Sequence, residues 1–232
     1  MYKRQTITLV VQEVGKTTTE MNKMRAGDQL ASLTGPLGIA SEIQQYGTVV
    51  CIGGGFAIAP IYPIARALKE AGNVVLSILG VRTRDLLFWE DWMRTVSDEL
   101  IVCTDDGSYG REGLVIAPLL EMLESGRPLD HIWAVGPAIM MKFCCLTIQP
   151  FGVPTTVNLN SIMVDGTGMC GACRVEVGGS TLFACVDGPE FDGHQVDWDR
   201  MMVRQGIYLE EELQAMEAWH CTGGGTQNHS PA

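Results

Sequence analysis

The sequence contains no uninterrupted apolar run of the roughly 18 residues that a membrane-spanning helix requires. Its first residues lack the basic, apolar and small-residue succession of a secretory signal. A cytoplasmic protein with no membrane partner is therefore expected. Basic residues are also scarce: 16 Lys and Arg stand against 27 Asp and Glu, a net charge of −11. Binding a phosphate backbone needs a clustered surplus of cations, so nucleic acid is excluded as a partner. Small molecules and proteins remain. The eight cysteines include no second Cys-x-x-Cys pair. In a reducing cytoplasm they point to metal or redox chemistry before a disulfide framework.

What is present is enough apolar material, 46% of 232 residues, to bury one large core or two small ones. From Thr48 the chain alternates β-rich runs with helical stretches. Thr48–Ile52 precedes a helix over Ala59–Ala71, and Val74–Leu79 precedes one over Leu86–Val96. Leu100–Thr104 precedes Leu114–Glu124, and Ile132–Val135 precedes Ala138–Leu146. This order predicts an α/β domain, a parallel sheet with helices on both faces, over residues 46–157. Residues 1–45 differ. Thr6–Val11 reads as a strand, and Gly27, Gly35-Pro36 and Gly38 punctuate segments suited to an antiparallel β-barrel. Glycines and cysteines concentrate over 158–222, closing on a helix from Glu210 to His220, and the glycine-rich 223–232 reads as a disordered tail.

Asp165-Gly-Thr-Gly-Met-Cys170-Gly-Ala-Cys173, followed by Cys185, places three thiols in a short loop-and-hairpin stretch. Thiolates hold iron-sulfur clusters, and the small residues among them let backbone N–H groups aim at sulfur. Asp165 is the candidate fourth ligand, because Cys145 lies upstream in a helix and Cys221 in the tail. Structural zinc, or plain buried thiols, is the competing reading of such a motif. Cys51, Cys103, Cys144 and Cys145 fall in strand or helix runs and read as buried apolar positions. Asp187, Glu190, Asp192 and His194 read as a solvated acidic turn, with a metal or partner contact as the alternative.

Gly53-Gly54-Gly55 follows the first parallel strand and Pro60 opens the next helix, so backbone N–H groups can meet a pyrophosphate. The spacing is not Gly-x-Gly-x-x-Gly, and a tight connection alone would look the same. Asp105 and Gly107 end a third strand and Gly136-Pro137 a fourth, on the sheet edge where ligands bind. There the alternatives are a turn at Gly107 and a cap at Asp105. Arg82 and Arg84 suit an adenosine 2′-phosphate and equally a solvated surface. Gly15-Lys16-Thr17-Thr18 offers donors for a flavin pyrophosphate, or is a turn with a threonine cap.

Taken in order, Gly53 to Pro60, Asp105 to Gly110, Gly136-Pro137 to Met141, and Asp165 through Cys185 to Gly193 resemble the ferredoxin-reductase-like flavoprotein electron-transfer subunits. That family includes the electron-transfer subunit of dihydroorotate dehydrogenase, the sulfide dehydrogenase β-type subunit, and the small subunit of NADH-dependent reduced ferredoxin:NADP oxidoreductase. The resemblance implies a partial FAD-binding β-barrel over 1–45, an NAD(P)H-binding domain over 46–157 and a small 2Fe-2S domain over 158–222. It also implies a larger flavoprotein or iron-sulfur partner subunit. Asp165, where the dihydroorotate branch has a cysteine, resembles the transhydrogenase and sulfide dehydrogenase branch. Two departures stand out. Phe56-Ala57-Ile58 replaces a Gly-Ile turn, putting a methyl group where a cofactor approaches. The first barrel strands and an Arg-x-x-Ser/Thr-type flavin site precede this point in the family, so the chain reads as starting mid-barrel. A zinc-stabilised interaction module on a degenerate scaffold is the reading from another class.

Overall fold

The structure is a computed structural model that describes residues 6–221. The expectations for the first five residues and for the tail from Gly223 lie outside that range. Two compact units divide the chain, one running from Pro36 to Gln205 and the other comprising the residues up to Gly35 together with those from Gly206 on.

In the smaller unit, helix α1 (Lys16–Asn22) is followed in the chain by no strand before Gly35. The strand expected over Thr6–Val11 is not formed: a lone strand leaves its N–H and C=O groups without a ladder, and no partner strand lies among the described residues of this unit.

The larger unit contains β1 (Thr48–Gly54), α2 (Ile58–Glu70), β2 (Val74–Val81), α3 (Glu90–Val96), β3 (Glu99–Thr104) and β4 (Arg111–Glu112). These are followed by α4 (Ile116–Glu124), β5 (His131–Val135), α5 (Ala138–Ile148), β6 (Thr155–Asn158), β7 (Arg174–Val177), β8 (Ser180–Phe183), β9 (Glu190–Asp192) and α6 (Trp198–Gln205). The smaller unit also contains α7 (Leu209–Cys221), which packs against α1. Lys23 Nζ there lies 4.2 Å from the ring centre of Trp219.

The sheet has the order β4-β3-β2-β1-β5-β6-β9 and is parallel except for β9, which runs antiparallel to β6. Alternation along the strands divides its core. Val50, Ile52, Leu76, Ile78 and Ile132 face α4 and α5, whereas Val49, Cys51, Val75, Leu79 and Trp133 face α2 and α3. With both faces covered, strands read as near-continuous apolar runs, which is why the sequence announced them. Each fully buried aliphatic side chain contributes about 1.5–3 kcal/mol.

The helix expected over Leu86–Val96 starts only at Glu90. Arg84–Leu86 forms a 3-10 turn, and Trp89, at φ +55°, breaks the helical path. Its ring stacks on Trp92 with centroids 4.8 Å apart. Cys51, Cys103, Cys144 and Cys145 are buried as expected; burial pushes the thiols of Cys51 and Cys145 up to about 12 and those of Cys103 and Cys144 up as well.

His131 is a polar exception at the start of β5. Its ring lies 4.7 Å from Tyr46 and 4.1 Å from Trp133, centroid to centroid, and its Nε2 contacts Thr156 Oγ1 at 2.8 Å. Burial pulls its pKa down from 6.5 to about 4, against an opposing pull from Asp192. A folded pKa below the unfolded one means that stability is intact above pH 6.5 and is lost as pH falls toward 4. The Tm of His131→Gln is therefore expected to fall less steeply than that of the wild type across this acid window. Equal slopes in a pH series of thermal melts would acquit His131.

Candidate functional site

The cysteine loop is positioned by a hairpin. β7 and β8 pair antiparallel, Arg174 opposite Phe183, and Gly178-Gly179, both at positive φ, close them in a two-residue turn. Cys173 immediately precedes β7 and Cys185 follows β8, so the pairing brings them together. Ala184 N–H donates to the Cys173 carbonyl at 3.1 Å, and the two Sγ atoms lie 3.2 Å apart, both buried and both free thiols. Their neighbours Val175, Ala184, Val196, Trp198 and Met201 belong to the same apolar cluster as α5.

The loop ahead of them is organised by Asp165. Its Oδ1 accepts the Thr167 N–H and its Oδ2 accepts the Cys170 N–H at 2.7 Å. These bonds, the Thr167 amide foremost, hold the carboxyl below the usual carboxylate range. Amides also meet the sulfurs: Ala172 N–H donates to Cys170 Sγ at 3.4 Å, Cys185 N–H to Cys173 Sγ at 3.5 Å, and the Gly168 N–H favours the Cys185 thiolate. Burial outweighs that last contact, and with the Cys173 thiol beside it the Cys185 thiol is pushed up.

The four candidate ligands are thus Cys173 and Cys185 in contact, and Asp165 and Cys170 linked through backbone in the preceding loop. Among the described residues no three of them converge within metal-binding reach, and the Cys170 thiol is exposed. The donor set fits an iron-sulfur cluster nonetheless. It offers three soft thiols on a glycine-rich loop with amides already at each sulfur, and a carboxylate that accepts two amides while keeping lone pairs open.

The second site is the C-terminal edge of the sheet. β1 is flanked by β2 on one side and β5 on the other, the position where strand order reverses and ligands bind in such folds. A Cβ on Gly54 would meet the Met140 Sδ and, at 3.1 Å, the Pro137 Cδ; a Cβ on Gly136 would lie 3.3 Å from the Gly54 Cα. Gly54, Gly136 and Pro137 are therefore in close approach. Gly53 is packed against Ile61 and Leu79, whereas Gly55, at φ +59°, faces open space with nothing within 4 Å of where a Cβ would stand. Pro60 lies in the first turn of α2, which needs no N–H from it.

Asp105 and Gly107 sit on the same edge at the end of β3, two strands from β1. Asp106, not Asp105, is the cap there, accepting the Ser108 N–H at 3.0 Å. Arg84 lies over the Tyr109 ring at 4.8 Å. Ala57 is buried against Ile58 and Ile61, so its methyl group fills the core and does not face the ligand edge. This corrects the expectation of a clash with cofactor: the 3-10 turn over Gly55–Ala57 rotates that side chain inward. Gly15, Lys16, Thr17 and Thr18 lie in the smaller unit. There Thr18 Oγ1 accepts the N–H groups of Val14 and Gly15 and donates to the Gly15 carbonyl, so its hydroxyl serves the turn.

Asp187, Glu190, Asp192 and His194 serve structure as well. Asp187 accepts the Phe183 N–H, Glu190 accepts the Ser41 hydroxyl at 2.6 Å, and Asp192 accepts the His194 N–H at 3.0 Å. Two residues that the sequence reading passed over touch the cysteine loop directly. Arg174 Nε donates to the Gly171 carbonyl at 2.9 Å and Arg204 donates to the Ala172 carbonyl at 3.0 Å. Arg174 was findable as the neighbour of Cys173; Arg204 arrives from α6 and has no local signal.

Two sequence families match the chain. The oxidoreductase NAD-binding domain covers residues 51–146, and the iron-sulfur cluster binding domain of dihydroorotate dehydrogenase B covers 160–197. A dihydroorotate dehydrogenase B (NAD(+)) electron transfer subunit homolog of Thermotoga maritima is 52% identical over 219 residues, 94% of this chain and 77% of that one. The electron transfer subunit of dihydroorotate dehydrogenase B (NAD(+)) of Geobacillus thermodenitrificans is 33% identical over 194 residues, 81% of this chain and 73% of the relative. The solved structure of an NADH-dependent reduced ferredoxin-NADP oxidoreductase, described for flavin-based electron bifurcation, superposes with a TM-score of 0.84 at 50% identity, covering 90% of this chain and 75% of its own.

Proposed function

The chain belongs to the family of the electron-transfer subunit of dihydroorotate dehydrogenase B, oxidoreductase subunits that join an NAD-binding domain to an iron-sulfur domain, and from that premise we propose a specific role. It passes electrons between NAD(P)H, FAD and a 2Fe-2S cluster to a larger partner subunit, as in the ferredoxin:NADP oxidoreductase and sulfide dehydrogenase branch. The observation that carries this reading is the contact of Cys173 and Cys185 at 3.2 Å beside a loop that holds Cys170 and Asp165.

When bound, the flavin and the cluster supply hydride exchange with nicotinamide and single-electron steps, respectively. The chain's own residues do the rest. Cys170, Cys173 and Cys185 would ligate through sulfur, with Asp165 as the fourth ligand through a remaining lone pair of its carboxylate, both of whose oxygens already accept an amide. The amides of Gly168, Ala172 and Cys185 stabilise negative charge on sulfur. Gly54 and Gly136 let β1 and the start of α5 approach each other around Met140, Gly55 and the N-terminus of α2 present N–H groups to a pyrophosphate, and Asp105 and Gly107 border the same edge. Gly15, Lys16 and Thr17 are the flavin-pyrophosphate candidates, with Thr18 holding their turn.

The test is the visible spectrum of anaerobically purified protein with iron, sulfide and zinc measured on the same sample. Bands between roughly 400 and 600 nm that bleach with dithionite, with about two irons and two sulfides per chain, are expected. A colourless protein holding one zinc would replace this reading with the structural-zinc module. Asp165→Cys is expected to keep the cluster and to alter its midpoint potential; an unchanged potential would remove Asp165 from the ligand set.

The dihydroorotate role is the second reading, favoured by the names of the relatives. Co-purification separates the two, since a dihydroorotate-oxidising partner supports this one and a larger flavin reductase subunit the first.

A further inference from the structure

Two guanidinium groups grip the backbone between Cys170 and Cys173. Gly171 and Ala172 are the only residues between those cysteines, and both of their carbonyls are taken: Gly171 by Arg174 Nε at 2.9 Å, Ala172 by Arg204 at 3.0 Å. The two arginines come from different elements, Arg174 from the first position of β7 and Arg204 from the last turn of α6. They line one groove of about 410 Å³ with Arg200, Asp199 and Glu176. Neither is ion-paired among the described residues, whereas Arg200 in the same groove lies 3.3 Å from Asp197. In a chain of net charge −11, two cations with no carboxylate within ion-pair distance thus hold one four-residue segment, although Glu176 and Asp199 line the same groove.

We infer that Arg174 and Arg204 are positioning residues that fix the Cys170–Cys173 loop and raise the reduction potential of the centre it holds. The inference rests on the iron-sulfur reading above. Reduction there adds one electron, drawn from the reduced flavin, and with it one negative charge; oxidation by the partner removes both. A guanidinium stays charged at every working pH, so its attraction favours the reduced form. By bonding to the carbonyls it also neutralises the negative ends of two peptide dipoles that would otherwise oppose the added charge. The consequence is a cluster more easily reduced than its thiolate loop alone would set.

The experiment is a redox titration, followed by paramagnetic resonance of the reduced centre, on the full chain with its partner subunit. Arg174→Gln, Arg204→Gln, the double variant, the two lysine variants and Arg200→Gln are compared. Each glutamine variant is expected to lower the reduced-to-oxidised ratio at fixed potential about threefold. The double variant is expected to lower it about tenfold, which is about 59 mV for a one-electron couple. Lysine keeps the charge and should recover most of the loss, and Arg200→Gln, already paired, should shift the ratio less than twofold. Glutamine variants that lose iron while the lysine variants retain it also support the inference, as failure of the same clamp.

An intact cluster with unmoved potential in the double variant would overturn it. So would lysine variants as low as the glutamine ones, which would make the role one of shape, or Arg200→Gln as effective as Arg204→Gln. Wild-type protein without iron and sulfide would instead strike down the iron-sulfur reading itself, and the two failures are told apart by metal analysis alone.

Discussion

Serine at Cys173 or Cys185 is expected to empty the iron-sulfur site: iron and sulfide fall from about two per chain to near zero and the visible bands disappear. The two sulfurs are 3.2 Å apart and buried, so neither can be replaced by a neighbouring side chain or by water without reopening the apolar cluster around them. A serine hydroxyl does not ionise near neutral pH and is a hard, poor partner for iron, whereas the substitution removes little volume. Burying the hydroxyl costs about 1–3 kcal/mol at most, so the sheet and its thermal transition should survive. Cys51→Ser and Cys144→Ser make the same chemical change at equally buried positions, in the core instead of the loop. They should leave iron content at the wild-type level. Iron loss in all four variants would mean that the cluster responds to general destabilisation, and the assignment of Cys173 and Cys185 would fall.

What the sequence disclosed and what it hid follow from whether the signal was local. Strands buried on both faces, such as Thr48–Gly54 and Val74–Val81, are apolar runs and were legible almost to their ends. β9 is Glu-Phe-Asp, with a single apolar residue, and it exists because β6 offers it an edge; nothing within three residues could declare it. α6 was passed over although half of its eight residues are apolar, because at about two turns it is too short for its periodicity to stand out; Trp198 and Met201 anchor it. At the site, ligand types were readable from thiol spacing, and the Gly178-Gly179 turn explains why residues twelve apart meet. The second task of Asp165, capping its own loop, and the reach of Arg204 to Ala172 across 32 positions are products of folding that spacing does not encode. The same limit applies to Ala57, whose methyl direction depends on a 3-10 turn that the string Gly-Phe-Ala does not specify.

Gly55→Val is expected to weaken binding of NADH or NADPH, whichever the wild type prefers, by about 100-fold, equivalent to about 2.7 kcal/mol. Nothing stands within 4 Å of the Cβ position, so valine meets no protein atom there; what it occupies is the open space at the β1–β5 crossover that the nucleotide reading requires. The residue also sits at φ +59°, where any L side chain is strained, and about 1–2 kcal/mol of stability should be lost even without ligand. That penalty alone would confuse the result, and Gly152 resolves it. Gly152 has φ +67° and equally open surroundings, but it follows α5 and precedes β6, at the opposite edge of the sheet. Gly152→Val carries the same backbone penalty with no ligand to displace. Titration calorimetry with each nucleotide, alongside thermal melts, should show both variants destabilised alike and only Gly55→Val deficient in binding. Full affinity in Gly55→Val would move the pyrophosphate away from the end of β1, and equal losses in both variants would trace the effect to strain transmitted through the sheet.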